Sequence, residues 1–468
     1  MKFITFKKLT LIILITCVVL AGFSFYGISE VKKGETGILK PIVKLLPFSE
    51  NKKEEISFLL EIFPEVGGFE KEKTYLLLFE NNMELRPAGG YLGSFGIVKV
   101  KDGKFTHLEV HDTNIFDGFG KVQTEPPWPI KKYLNVFNWQ MRDSGWSPDF
   151  PTSAEKAEYF YRLQGGKEKF DGIIAVTPPV LESVLDLTGP LEFEGHNYTK
   201  ENVIIDLEYQ VEMNYYRKGI PEGERKTVLK KIAPILAERI VEFSILDQIK
   251  LFNCFEKHFK EKEIIFYFHN NNLENKILEK NWGGQVKNFS GDYLMIVDAN
   301  LFSLKSDLVV ERLIDYQIDL NAPQPKSRLE STYRHQGKEE NWHLKDYQSY
   351  LRIYLPRGSW LTKADGLSTS VEFPDELGKT VFAGMVYVPL NQEKKIVFEY
   401  LLPKDFKKNP YKLLVQKQIG TKDYDLKVEI ISEKESKYFQ PNSAETKKES
   451  TIFSQKLKED LYFSLSFP

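Results

Sequence analysis

The sequence predicts a mixed α/β domain followed by an antiparallel β-sandwich, with one transmembrane helix ahead of both. Three observations predict this fold class. Between residues 71 and 310, short apolar strands alternate with helical stretches, the pattern of a mixed sheet with flanking helices. Across 311–468 the texture changes to alternating runs such as ERLIDYQIDL, SYLRIYLP and KKIVFEYLLP, parted by turn residues and without a long helix; a sandwich reads this way. At the N-terminus, Leu9 to Ile28 is an uncharged run of 20 residues, long enough to cross a bilayer.

At 468 residues the chain calls for two or three domains, and 42% hydrophobic with 13% aromatic content supports real cores. The 64 basic and 66 acidic residues leave a formal net charge of −2. With no concentrated Arg/Lys stripe, no nucleic-acid partner is expected. The two cysteines are Cys17, inside the apolar run, and Cys254. They cannot pair with each other, so neither a disulfide nor a cysteine metal site is available, which fits an exported protein that relies on its core.

Residues 1–8 form a short tail in which Lys2, Lys7 and Lys8 precede the apolar run and no acidic residue does. The positive-inside rule places that tail in the cytoplasm and the bulk of the protein outside. A cleaved signal peptide is the rival reading; the length of the run 9–28 and the lack of an A-x-A site favour a retained signal-anchor. Residues 29–70 form a charged stem with a helical stretch, Glu55 to Ile62, ended by Pro64 and Gly67-Gly68.

The densest polar segment follows. Tyr75 to Phe79 is a buried strand and Phe95 to Val100 a second one. Between them lie Asn81, Asn82, Glu84, Arg86 and Gly89-Gly90. Polar groups set between core strands must be hydrogen-bonded or serve a ligand; here the asparagines can cap a turn and Arg86 can pair with Glu84. Lys101-Asp-Gly-Lys104 has the composition of a hairpin turn. The strand Phe105 to Val110 then delivers His111, Asp112, Thr113, Asn114 and Asp117, well placed for a site in an α/β protein or for an Asx turn.

A proline-rich, aromatic loop runs from Pro126 through Trp139, Arg142, Asp143 and Trp146 to Pro151 and is expected to cover a sheet or line a cleft. Thr152 or Ser153 caps a helix starting near Ala154. The strand FDGIIAV and the helix VLESVLDL continue the alternation, and two helices follow, Glu201 to Tyr216 and Arg225 to Phe243, the second with a kink or break at Pro234. Ile264 to Phe268 with Asn270 to Asn272 and Gly283-Gly284 echoes the first strand and its loop, so two strands of one sheet are expected to end in similar polar loops. Tyr293 to Val297 is another strand, leading to Asp298 and Asn300. Residues 433–448 read as a polar, mobile insert in the sandwich.

Four segments carry a resemblance: LLLFENNMELRPAGGYLGSFGIV, Trp139 through SPDFPTSA, FDGIIAVTPPVLESVLDLTGP with its following TKEN, and GDYLMIVDANLFSLKSD. Over about residues 70 to 310 the chain is identified as a member of the bacterial DUF4012 family of membrane-anchored proteins, a family with no assigned activity to carry over. A remoter likeness links the Gly-Gly loop, the polar segment after a strand, DGIIAV and the LLxLTGP-like helix end to LytR–CpsA–Psr enzymes. Those are phosphotransferases that move glycopolymers from polyprenyl-pyrophosphate carriers to the cell wall. The likeness implies arginines and aspartates around a divalent ion, and Arg86, Asp112, Arg142 and Asp143 as the counterparts. The paired arginines of those enzymes have only a partial substitute in Arg225-Lys226.

On that likeness, Arg86 grips phosphate, and Asn82, Gly89, Gly90, Arg142 and Arg225 contact it. Asp112, with Asp117 or Asp143, holds Mg²⁺, and Arg86, Asp112 and Asp143 stand as the catalytic set. HExxH, GxSxG, P-loop and dinucleotide motifs are absent, and His111 and His343 read as ordinary histidines. The leading expectation is a single-pass envelope protein that binds a glycan, lipid or protein partner. The alternative is a phosphotransferase acting on a polyprenyl-linked glycopolymer.

Overall fold

The structure is a computed structural model in which residues 36–46, 48–120, 123–221, 225, 227–434 and 438–468 are described. The tail and transmembrane run read at 1–28, and the start of the stem, lie outside the described residues. Among the described residues, no helix is long and apolar enough to cross a membrane. The chain forms two compact units: the described residues of Met1–Glu80, Leu92–Val122 and Glu158–Gly283, and those of Asn81–Tyr91, Gln123–Ala157 and Gly284–Pro468.

The first unit is built on strands β1 (Lys73–Asn81), β2 (Tyr91–Lys101), β3 (Lys104–Asp112), β4 (Gly172–Val176) and β7 (Ile264–Phe268) in the order β3-β2-β1-β4-β7; β5 (Leu191–Phe193) and β6 (His196–Tyr198) form a separate hairpin. β1 and β4 are parallel, while β4–β7 and β2–β3 are antiparallel, so the sheet is mixed as the sequence predicts. The β2–β3 turn has Asp102 and Gly103 both at positive φ, the backbone twist that joins two right-twisted strands through two residues. Tyr75 and Val98 face Ile62, Leu251, Phe255 and Ile277 in one core. These come from the flanking helices Glu50–Val66, Ile245–Lys260 and Asn271–Glu279.

Several boundaries differ from the sequence expectation for physical reasons. The helix capped by Ser49 runs Glu50–Val66, straight past Pro64, because a proline that late removes a bond only from the last turn. The helix expected near Ala154 is Phe150–Leu163; its cap is Asp149, whose carboxylate accepts the Thr152 N–H at 3.3 Å. The predicted break at Pro234 does not occur, and Thr227–Val241 is one helix. The echoing strands β1 and β7 run in opposite directions through β4, so their polar loops leave the sheet at opposite ends.

The second unit holds β8 (Asp292–Asn300), β9 (Val310–Asp319), β10 (Lys326–His335), β11 (Tyr347–Leu355), β12 (Trp360–Asp365), β13 (Thr380–Val388), β14 (Glu393–Leu401), β15 (Tyr411–Gln416), β16 (Tyr424–Ile431), β17 (Tyr438–Gln440), β18 (Glu445–Lys447), β19 (Ser450–Leu457) and β20 (Leu461–Ser466). They form two sheets, β12-β14-β10-β9-β16-β19-β18 and β13-β11-β8-β15-β20-β17. Inward residues of both, including Leu294, Tyr316, Phe398 and Phe463, close one core. The polar insert read at 433–448 supplies the short strands β17 and β18.

Most pairs are antiparallel as expected, but β8–β15 and β9–β16 are parallel. The reason is topological. The chain crosses from the six-stranded to the seven-stranded sheet twice in the same sense, β8 to β9 and β15 to β16, and the two crossings lie side by side. All nine residues of β8 are buried. Its core-facing side meets the other sheet. Its outer side is covered at the Ala299 end by the aromatic loop, where Tyr133, Leu134 and Trp146 pack against the Ala299, Tyr350 and Met385 cluster, and at Tyr293, Met295 and Val297 by Val286 and Phe289.

Candidate functional site

The loop from Asn82 to Gly90 belongs to the second unit, where it is bonded at both its backbone and its side chains. Asn82 Nδ2 donates to the Gly420 carbonyl at 3.0 Å, and the Leu85 N–H donates to Asp307 Oδ2 at 3.1 Å. Leu85 O accepts from the Asn300 N–H at 2.9 Å. Lys305 Nζ donates to Glu84 Oε1 at 2.6 Å, so Glu84 pairs with Lys305 and not with Arg86. A Cβ on Gly90 would lie 2.3 Å from the Asn81 carbonyl oxygen, so glycine is required there for the chain to pass its own strand end. The Gly89 N–H is bonded to the Arg86 carbonyl at 3.0 Å.

Arg86 is 6% exposed. Its Nη1 donates to the carbonyls of Asn300, at 2.5 Å, and Leu85, at 3.3 Å, and its guanidinium lies 5.6 Å from the Tyr91 ring. Asp143 is the carboxylate beside it, with Oδ1 at 4.0 Å from Arg86 Nε and Oδ2 at 3.8 Å from Arg142 Nε. Burial pushes the Asp143 carboxyl above the usual range, and the two arginines pull it back only in part. Arg142 Nη2 donates to Gln140 Oε1 at 2.8 Å. Arg86, Arg142 and Asp143 therefore come together, but Arg86 turns its donor fork toward main-chain carbonyls.

The same unit holds a buried ionic network that the sequence does not single out as a site. Arg312 donates through Nε to Asp298 and through Nη2 to Asp307, both at 2.8 Å. Tyr333, Tyr347 and Ser349 hydroxyls complete the shell of these two carboxylates. Asp307 Oδ2 is also the acceptor for Leu85 and for Asn300 Nδ2. In the aromatic loop, Trp146 stacks on Tyr350 at 6.0 Å, with the Arg352 guanidinium 4.7 Å from its ring. Trp139 Nε1 donates to the Asp143 carbonyl at 2.8 Å. Both tryptophans are thus engaged in packing.

Asp112 and Arg225 lie in the first unit. Asp112 ends β3 and caps the short helix Thr113–Asp117, its Oδ1 accepting the N–H groups of Asn114 and Ile115 at 2.9 and 3.4 Å. The helix is held by aromatic contacts: Phe116 meets Phe95 edge-on at 4.9 Å and stacks on Tyr161 at 5.5 Å. Asp112 Oδ2 accepts from Arg225 Nε at 3.1 Å, across 113 positions of sequence. Arg225 Nη1 donates to Glu212 Oε2 at 2.9 Å, and Tyr215 presents its ring 6.0 Å from the guanidinium. Burial works against the Arg225 charge, but Glu212 and Asp112 outweigh it and hold the pKa above that of an ordinary arginine. Glu212 sits on a π turn, Gln210–Asn214, between the helical residues Val203–Tyr209 and Tyr215–Arg217.

Of the metal ligands expected, Asp117 is buried within the same short helix, and Asp112 already uses one oxygen on two N–H groups and the other on Arg225. Among the described residues, no three His, Cys, Asp or Glu side chains converge to hold a metal ion. The residues at hand do not fit a resident Mg²⁺. His111 stacks on Phe95 at 4.9 Å, and burial lowers the pKa of His343.

Residues 70–211 match the model of a family described as a protein of unknown function (DUF4012). This stretch belongs to the DUF4012 family. The DUF4012 region thus contains the Asn82–Gly90 loop, Arg142, Asp143, Asp112 and the start of the π turn, whereas Glu212 and Arg225 lie beyond its end. Among curated proteins, none matches the sequence. The solved structures similar to the chain are distant. Protein lpg2210 of Legionella pneumophila is 8% identical with a TM-score of 0.26, over 38% of this chain and 71% of its own. Lin1025 of Listeria innocua is 10% identical with a TM-score of 0.22, over 48% and 85%. An M1 zinc metallopeptidase of Deinococcus radiodurans is 6% identical with a TM-score of 0.17, over 33% of this chain and 42% of its own. Likenesses at that level support no transfer of fold or function. Glu212 is the site residue that sequence alone misses: in a helical stretch it reads as one more solvated carboxylate.

Proposed function

We propose that the protein is a membrane-anchored, extracytoplasmic component of the cell envelope whose α/β unit binds an anionic group of an envelope glycan or lipid at Arg225. The observation that carries this reading is the Asp112–Arg225 pair. A buried carboxylate fixed by helix N–H groups holds Nε, Glu212 takes Nη1 at 2.9 Å, and the Nη end of the guanidinium is the face this reading gives to a ligand. Arginine in that posture suits phosphate, which takes two parallel N–H donors. The bulk-outside orientation rests on the lysines before the apolar run 9–28.

A second reading, a phosphotransferase acting on a polyprenyl-pyrophosphate-linked glycopolymer, is favoured by one fact. Asp112 and Arg225, both assigned through the LytR–CpsA–Psr likeness, stand 3.1 Å apart. The engaged oxygens of Asp112 and the carbonyl-facing fork of Arg86 weigh toward binding instead.

The test is calorimetric titration of the full-length protein in nanodiscs with a short-chain polyprenyl-pyrophosphate, with and without Mg²⁺. Arg225→Ala is expected to lose affinity by about tenfold or more, the value of one or two charge-assisted hydrogen bonds. Arg225→Lys is expected to recover part of it. Unchanged binding by a folded Arg225→Ala protein would refute the site. Appearance of a transferred product with a glycan acceptor would promote the second reading.

A further inference from the structure

The loop after β8 holds two bulky apolar residues in a strained backbone and shows both to solvent. Phe302 has a φ of +81° and Leu304 a φ of +51°, a left-handed backbone that glycine adopts freely and a large side chain resists. Hydrogen bonds on both flanks hold it there. The Leu301 N–H donates to the Gln348 carbonyl at 2.9 Å, and the Lys305 N–H to the His343 carbonyl at 2.8 Å. Asn300 Oδ1 accepts the Ser303 N–H at 2.9 Å, while Asn300 Nδ2 donates to the Leu304 carbonyl at 3.0 Å. What this turn displays is apolar: Phe302 is 62% exposed and Leu304 40%. Strain that the surroundings over-determine in this way gathers at functional loops. Beside it, Lys345 sets its ammonium 3.2 Å from the centre of the Phe302 ring. Glu340 and Asp346 act on Lys345 through space without pairing with it, and the Asp346 carboxylate is engaged by the Tyr387 hydroxyl and the Leu390 N–H.

We propose that the loop Leu301 to Lys305, with Lys345, is a docking tip for an anionic lipid surface, Phe302 and Leu304 entering the headgroup region and Lys345 meeting lipid phosphate. Charge and area choose this occupant. Two side chains fall far short of the roughly 800 Å² per partner that a stable protein interface buries. A few apolar side chains beside a cation are enough at a lipid surface to which the chain is already tethered, because the tether keeps the local concentration high. The tether is the apolar run 9–28, so the proposal rests on the membrane-anchored reading; it does not involve Arg225.

The experiment uses the full-length chain carrying Cys17→Ala and Cys254→Ala, a single copy per nanodisc. A nitrobenzoxadiazole probe is attached at Leu304→Cys or, as a control, at Lys363→Cys on the exposed strand β12. In discs of phosphatidylglycerol and phosphatidylcholine, the probe at 304 is expected to shift to the blue and to be quenched by doxyl-labelled lipid, and the control to do neither. Lys345→Ala is expected to lower the ratio of docked to undocked protein about fivefold, the worth of one lysine at an anionic surface. Phe302→Gly is expected to abolish the shift yet melt at or above the wild-type temperature, because glycine relieves the positive φ. A lower melting temperature would mark the ring as structural packing and overturn the proposal. So would no shift, an equal shift in pure phosphatidylcholine discs, or a shift seen only when two copies share a disc, which marks a contact between copies. If the chain does not enter discs, the membrane-anchored reading falls by itself. The labelled chain is then floated with phosphatidylglycerol vesicles, where a blue shift keeps the docking tip and its absence overturns that as well.

Discussion

Gly420 lies so close to Gly89 that a methyl group on it would fall 2.2 Å from the Gly89 carbonyl oxygen, and its φ of +74° is one that side chains resist. This contact, with Asn82 bonded to the Gly420 carbonyl, locks the polar loop into the sandwich. Gly420→Ala is expected to destabilise the second unit by about 2–4 kcal/mol, read as a lower urea midpoint. Wild-type stability in that variant would show that the loop yields freely.

Arg86 is expected to matter for folding more than for ligand affinity. Arg86→Met removes the guanidinium donor from the Asn300 carbonyl and leaves the buried Asp143 with Arg142 as its one remaining guanidinium, at a cost of roughly 3 kcal/mol. Adding Asp143→Asn removes the buried charge that has lost one of its two guanidinium neighbours and should restore about 1 kcal/mol or more, which a double-mutant cycle by denaturant unfolding measures. A strictly additive cycle would mean that the 4.0 Å pair is not coupled.

Asp292 sets a pH dependence in the opposite sense to most carboxylates. It is buried beneath the hydroxyls of Tyr316 and Tyr411, each at 2.7 Å, and burial pushes its pKa up from 3.8 to about 6. The folded state therefore binds this proton more tightly than the unfolded chain does. The contribution is present in full below about pH 4 and is lost as pH rises through 6, a swing of roughly 3 kcal/mol. Asp292→Asn should gain stability relative to wild type between pH 4 and pH 8 by about that amount, measured from paired urea curves. A constant difference across that range would contradict the assignment.

The elements most legible in the sequence are those fixed by local chemistry. The β2–β3 hairpin is announced by Asp102-Gly103, and β9 and β16 by strict alternation. β8 is harder to place, because a strand buried on both faces has no alternation and reads as a plain apolar run; the aromatic loop that covers its Ala299 end lies more than 140 positions earlier. In the loop at Arg86, polar density shows that partners must exist, but not which. Asn300, Lys305 and Asp307 lie 214 to 222 positions away, beyond any local pattern. Asp112 and Arg225 can each be named, yet only the folded chain joins them and adds Glu212.

The sandwich unit draws on Asn81–Tyr91 and on Gln123–Ala157 as well as on Gly284–Pro468. A ribosome makes the first of these pieces long before its partners exist: Asn82 waits for Gly420, 338 residues later, and Arg86 waits for Gln418, 332 residues later. During synthesis the sheet of the first unit can close while the Asn82–Gly90 loop still has water as its only companion. Completion of that loop is therefore a late event, governed by arrival of the C-terminal strands. A chain truncated anywhere before residue 420 would keep its most polar loop without the Gly420 carbonyl that Asn82 needs, offered to chaperones and proteases.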